Sequence, residues 1–253
     1  MTGKGHIELL IAIDDTDNAD SRGTGYHARQ LAHALEASKL AMVRGITRHQ
    51  LFVDPAIRYT SQNSSACINI STMNVNEVKK VCEAYLLQNS APGSDAGLCI
   101  GQSKEVSEEV MDWGRRAKNT ILYMDNAFEL AGKEGIFLKG YTGNHEGIIG
   151  ALAAVGLHAC GSDGRYIWRR GIKELRDMET GIFDTRRIKD ELGLDEIASL
   201  DGEQAKDTDR ILISEWVRPI RKDHKVILIT QKNEKHDEYE WELTGKEVIR
   251  SIT

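Results

Sequence analysis

Asp14-Asp15-Thr16-Asp17 places three carboxylates within four positions, directly after the apolar run from Ile7 to Ile13. Acids crowded at the end of a buried strand repel one another, and each makes its neighbour harder to ionise. A divalent cation relieves that repulsion. Magnesium takes one or two carboxylates and completes its shell with water and phosphate oxygens. Strand ends in α/β sheets are also where ligands sit. A second arrangement suits the same residues, because aspartates form turns and cap the helices that follow them. The local pattern leaves both readings open.

Lys139-Gly140-Tyr141-Thr142-Gly143-Asn144-His145-Glu146-Gly147-Ile148-Ile149-Gly150 is the second chemical stretch. Glycines ahead of a helix let backbone N–H groups approach an anion, and the helix dipole favours negative charge there. Lys139 is placed to neutralise phosphate oxygens. The stretch is neither a Walker A loop nor GxGxxG. Its other reading is close helix packing through Gly147, Gly150 and the alanines that follow. Between the two stretches, Asp54 to Asn63 offers one cation, Arg58, among polar side chains. Arg169-Arg170, Arg186-Arg187 and Arg218 to Lys222 read as solvated surface charge. His27 and His33 lie six apart and share no ligand face on a helix.

The elements that must hold these groups follow from periodicity. Ile7 to Ile13 is apolar but for Glu8 and suits a strand covered on both faces. A helix is expected over 26–39, with Leu31, Ala34 and Leu35 inward. Strands are expected at 41–47, 66–70, 97–100 and 135–138. Asn74 or Asn76 caps one helix and Ser107 another, with Glu108 and Glu109 in its first turn. An Ala-rich helix is expected over 148–157 and a short one over 184–192. Strands near 211–214 and 225–230 precede a charged stretch, Lys232 to Glu242.

The 253 residues carry 33 basic and 39 acidic side chains, a formal charge of −6. That balance gives no support to a protein that coats nucleic acid. No run reaches the roughly 20 apolar residues of a membrane span, and the N-terminus lacks the pattern of a signal peptide. Cys67, Cys82, Cys99 and Cys160 form no CxxC pair, which argues against a zinc ribbon and for reduced, buried thiols. A cytoplasmic enzyme without membrane partners is the expectation.

Taken in order, the motifs resemble one family. The strand into Asp14-Asp15-Thr16-Asp17, the Arg22-Gly23-Thr24 loop, and Pro55, Thr60 and Asn63 resemble archaeal tRNA(Ile) agmatidine synthetase. Pro92 to Ile100 and Lys139 to Gly156 continue the likeness over roughly the first 220 residues. The resemblance implies an α/β (α+β) chain, a kinase-like domain with an inserted ferredoxin-like domain. The kinase-like part would hold 1–63 and 125–200, and the ferredoxin-like part 64–124 with 201–253. The family uses ATP to activate the C2 oxygen of a tRNA cytidine, which agmatine then displaces. Carried over, Asp14, Asp15 and Asp17 would serve magnesium and the phosphates. Lys139, Gly140, Gly143, Asn144, Gly147 and Arg58 would hold ATP.

The family phosphorylates a threonine in a Gly-Met-Cys-Thr-Thr loop; here the loop reads Gly23-Thr24-Gly25-Tyr26 and Thr24 is the nearby hydroxyl. The family's OB-fold and zinc ribbon, which help hold tRNA, find no room or cysteines here. The expected acceptor is therefore a small molecule or nucleoside, ahead of tRNA. The alternatives are a nucleotide-binding regulatory module with reduced turnover, and a tRNA-modifying enzyme working with a separate RNA-binding protein. A haloacid-dehalogenase-type phosphatase, suggested by Asp15-Thr16-Asp17, lacks the later lysine and paired acids it needs.

Overall fold

The computed structural model describes residues 5–60, 62–169, 175, 178–235 and 238–253. Ser61, Arg170 and two residues of the charged Lys232–Glu242 stretch lie outside them. The chain divides into two compact units, Met1–Cys160 and Gly161–Thr253. Both candidate stretches fall in the first.

The first unit is built from β1 (Ile7–Asp14), α1 (Thr24–Ala37), β2 (Ala41–Gln50), β3 (Ser64–Thr72), α2 (Val75–Asn89) and β4 (Gly97–Gln102). It continues through α3 (Glu108–Ala117), α4 (Met124–Glu134), β5 (Phe137–Gly140) and α5 (Gly147–Cys160). Its strands lie in the order β5-β4-β1-β3-β2, every neighbouring pair antiparallel. The run from β1 to β4 is thus β-α-β-β-α-β with strand order β4-β1-β3-β2, a split β-α-β arrangement.

β1 is apolar from Leu9 to Ile13 because both of its faces are covered there. Leu10 and Ala12 join Cys67 and Cys99 in a layer beneath α5. The register sets Ala12 opposite both cysteines. Leu9, Ile11 and Ile13 alternate to the other face, the side of α1 and α2, and are equally buried.

α5 is buried around almost its whole circumference, as its alanines and glycines foretell. A Cβ on Gly156 would lie 2.0 Å from the Val110 carbonyl oxygen, so glycine is what lets α3 and α5 touch. The Asn74 carboxamide caps α2 by accepting from the Glu77 N–H at 3.2 Å, and Ser107 caps α3. α4 was not anticipated; Gly135, read as the start of a strand, instead ends this helix at φ +65.

The second unit holds β6 (Arg165–Arg169), β7 (Gly181–Asp184), α6 (Thr185–Leu192), β8 (Glu196–Ala198) and β9 (Arg210–Ile213). It ends with β10 (Ile220–Lys222), β11 (Lys225–Lys232), β12 (Trp241–Leu243) and α7 (Lys246–Ser251). Strands run β6-β10-β11-β12-β9-β7, with β8 parallel to β11. The β10–β11 hairpin turns on Asp223 and His224, at φ 50 and 62. Trp241 anchors the core, its indole donating to Asp209 Oδ2 at 2.9 Å.

The whole is a mixed α+β fold. The compact units differ from the expected division. Residues 64–124 supply β3 and β4, the two neighbours of β1, and so cannot be lifted from its sheet as a separate body; 201–253 belong to the other unit. Among the described residues no helix is long and apolar enough to cross a membrane. The four cysteines are free, three of them buried.

Candidate active site

Asp14 shares the face of Leu10 and Ala12 and so points toward α5. A Cβ on Gly150 would stand 1.8 Å from its Oδ2, so glycine there lets the carboxylate lie directly against α5. Asp15 then takes a left-handed conformation, φ 47, and turns the chain sharply out of the sheet. Thr16 is buried, and its carbonyl accepts from the Ala91 N–H at 3.0 Å. Asp17 does something different from its neighbours. Its Oδ1 accepts from both the N–H and the hydroxyl of Thr24, each at 2.9 Å. Gly23, the residue at the helix boundary, has no side chain to cap α1, and Asp17 serves from upstream.

The two readings of the acidic turn are therefore divided among its members. Asp17 caps a helix; Asp14 and Asp15 do not. Burial, then the neighbouring Asp15 charge, pushes the Asp14 carboxyl up from 3.8 to about 8. Burial, then Asp95, raises Asp15 to about 6, although Arg58 opposes the rise. Both residues are partly buried, Asp14 the more deeply at its carboxyl.

Arg58 reaches in from the loop after β2. Its Nη2 donates to the Gly93 carbonyl at 2.5 Å, and its Nη1 lies 3.2 Å from Asp95 Oδ2. Asp95 is only 1% exposed, although Arg58 is mostly in solvent.

The glycine-rich stretch packs against the segment just before β4. Tyr141 N–H donates to the Ala96 carbonyl at 2.8 Å, Gly147 N–H to the Asp95 carbonyl at 2.9 Å, and Asn144 N–H to Asp95 Oδ1. His145, Ile148 and Ile149 also place their N–H groups on protein carbonyls. Close approach is the reason for the glycines. A Cβ on Gly97 would lie 2.2 Å from the Gly147 carbonyl carbon, and one on Gly143, at φ +53, would lie 1.8 Å from Asp95 Oδ1. Lys139 points the other way. Its Nζ lies 3.4 Å from Glu83 Oε1 on α2, the acceptor that also takes the Tyr141 hydroxyl at 2.8 Å.

A cavity of about 320 Å³ opens over the acidic turn. Asp14, Asp15, Asp17, Thr24, Arg58, Gly147 and Gly150 form its polar side; Leu51, Ile57, Leu122 and Ile149 are among its apolar lining. Of the expected residues, Lys139, Gly140, Gly143 and Asn144 are not on its wall. The sequence reading missed Asp95, Glu146 and the 120–124 segment. Ser94-Asp95 passes for part of a turn after Pro92-Gly93, and 120–124 carries no charged group to draw notice until Asp125.

No family model matches the sequence, and no curated protein does. Solved structures do. Apo TiaS, an agmatidine synthetase acting on an isoleucine tRNA, superposes with a TM-score of 0.51 at 24% identity over 59% of this chain and 35% of its own. TiaS in complex with that tRNA and ATP gives 0.53 at 24% identity, over 60% and 36%. A tRNA fluorescent labeling enzyme gives 0.53 at 25%, over 59% and 36%. The likeness is one of fold. It agrees with the family that the ordered motifs resemble, and it spans little more than a third of those TiaS chains.

Magnesium can be weighed against the residues present. Asp14 and Asp15 are two adjacent carboxylates, within the one or two that magnesium takes alongside phosphate. Asp17, expected as a third ligand, is engaged by Thr24. Among the described residues no three His, Cys, Asp or Glu side chains are grouped to share one ion. The fit is to a pair.

Proposed function

We propose that this chain is an ATP- and magnesium-dependent enzyme of ligase-like or phosphoryl-transfer type, with its reaction centre in the cavity over Asp14 and Asp15. One observation carries the reading. The Asp14 and Asp15 carboxyls, both held above the ordinary range by burial and by neighbouring acids, line an open cavity beside the Arg58 guanidinium, a costly arrangement that a magnesium–triphosphate would resolve. Bound magnesium would neutralise phosphate charge from Asp14 and Asp15. Arg58 faces the same space as the one cation on that wall among the described residues. Gly147 and Gly150 let the start of α5 approach the acidic turn closely, and the apolar residues of the wall limit water.

The fold supports the reading, since TiaS structures include complexes with ATP and with AMPCPP and agmatine. In this reading the β1–β4 run is the ferredoxin-like part and the α5 side the kinase-like part. The acceptor is a small molecule or nucleoside. A second acceptor, tRNA, draws its support from the tRNA complexes of the neighbours. Binding of tRNA that weakens steeply with salt would favour it.

Isothermal titration of ATP–magnesium into the wild type and Asp15→Asn is the test. Saturable binding in the first and at least tenfold weaker binding in the second is expected. No heat from the wild type would overturn the reading. Tight binding with hydrolysis too slow to sustain turnover would make the chain a nucleotide-binding regulatory module.

A further inference from the structure

Asp95 is the most buried carboxylate among the described residues, yet its only charge partner there is the exposed Arg58. Its backbone is held from both sides. Its carbonyl takes the Gly147 N–H, and the next residue, Ala96, accepts from Tyr141 and donates to Thr142 Oγ1 at 2.8 Å. Its Oδ1 takes the Asn144 N–H, in a gap that only glycine at 143 leaves open. Its Oδ2 has no hydrogen bond and meets Arg58 through charge alone.

For packing the turn, a neutral amide would serve as well. Asn offers the same oxygen to the Asn144 N–H without the penalty of a buried charge. The charge acts on Asp15, which it opposes, and on Arg58, which it holds. Asp95 Oδ2 and the Gly93 carbonyl together take one edge of the guanidinium fork, and the remaining N–H donors stay uncommitted beside the cavity. An exposed arginine samples many rotamers; one clamped at two points presents a fixed donor set.

We propose that Asp95 is a positioning residue that clamps Arg58 across the cavity mouth and ties it to the Gly143–Gly147 turn, presetting the anion-receiving side of the site. The inference rests on the proposed function for the identity of the anion, a triphosphate; the clamp itself does not.

The experiment is a double-mutant cycle on binding, with ATP–magnesium and inorganic tripolyphosphate as probes and Arg58→Gln and Asp95→Asn as variants. If Asp95 acts through Arg58, R58Q weakens binding at least tenfold in the wild-type background and less than threefold in D95N. The same factor in both backgrounds would overturn the clamp. Arg58→Lys keeps the charge and leaves Asp95 paired but cannot grip both acceptors, so it reads out the geometry even if D95N does not fold. R58K should lose as much affinity as R58Q; wild-type affinity in R58K would also overturn the proposal. The guanidinium 15N–1H signals of Arg58 give a readout that needs no ligand. Separate, slowly averaging Nη signals are expected in the wild type, and a single averaged signal there would refute the clamp. If the wild type binds neither probe, the proposed function fails, and these signals alone decide the inference.

Discussion

Replacing Asp14 with Asn should stabilise the ligand-free protein at pH 8 and leave it unchanged at pH 4. The sign follows from the proton inventory. In the unfolded chain Asp14 ionises near 3.8, and in the folded protein it holds its proton until about 8. Raising the pH across that window draws protons from the unfolded state alone, so stability present below about 4 is lost as the pH approaches 8. Asp15, raised to about 6, adds a similar loss over a narrower window. Four decades of pH at about 1.4 kcal/mol each would cap the cost near 5–6 kcal/mol. Local relaxation and coupling to Asp15 and Asp17 reduce it to about 2–3 kcal/mol. For a unit of this size that is about 5–10 °C in Tm. Calorimetric melts of wild type and D14N at pH 4 and pH 8 measure it, read on the transition assigned to the first unit. Magnesium should return much of the difference to the wild type and none to D14N. A D14N protein that melts at or below the wild-type temperature at pH 8 would refute the electrostatic account of the site.

Gly97→Ala should be among the most damaging small substitutions, because its Cβ would meet backbone 2.2 Å away, with no side chain free to give. A loss of about 3 kcal/mol, or roughly 6–12 °C in Tm, is expected by thermal denaturation. Lys139→Ala should change the ATP dissociation constant by less than twofold in titration calorimetry, since Lys139 is paired with Glu83 and lies off the cavity. A tenfold loss would return it to the nucleotide site.

Much of this was legible from periodicity. The apolar run of β1, the caps Asn74 and Ser107 and the alanine helix α5 all stand where local chemistry puts them. The order of the strands was not. An apolar strand buried on both faces fits a parallel or an antiparallel sheet equally well, and only the pairing of β1 with β3 and β4 decides. α4 was missed although Ala127, Leu130 and Ala131 fall on one helical face with Gly135 behind them. Lys139 lies off the cavity because a strand alternates: Leu138 packs toward the α5 layer, which sends Lys139 to Glu83 on α2. Asp95 became visible only when the turn at Gly143 came to lie against it, some fifty positions further along the chain.

The division of labour within the acidic turn is what the proposed ligand site has to account for. Asp17 alone caps α1, so the fold's need for a carboxylate there is met by one residue of the three. Asp15 makes the turn and both carboxyls accept from nearby backbone, Asp14 from Asp15 and Asp15 from Asp95, yet burial still holds both above the ordinary carboxyl range, at a penalty. That penalty is actively maintained: Gly147 and Gly150 bring α5 onto Asp14 so closely that a single methyl group on either would collide with the residue. A sequence shaped by packing alone would relieve this with Asn at 14, or with a side chain on α5 that pushes the carboxylate into solvent. A partly buried acid held against α5 beside an open cavity is the arrangement that the proposed magnesium–triphosphate would relieve.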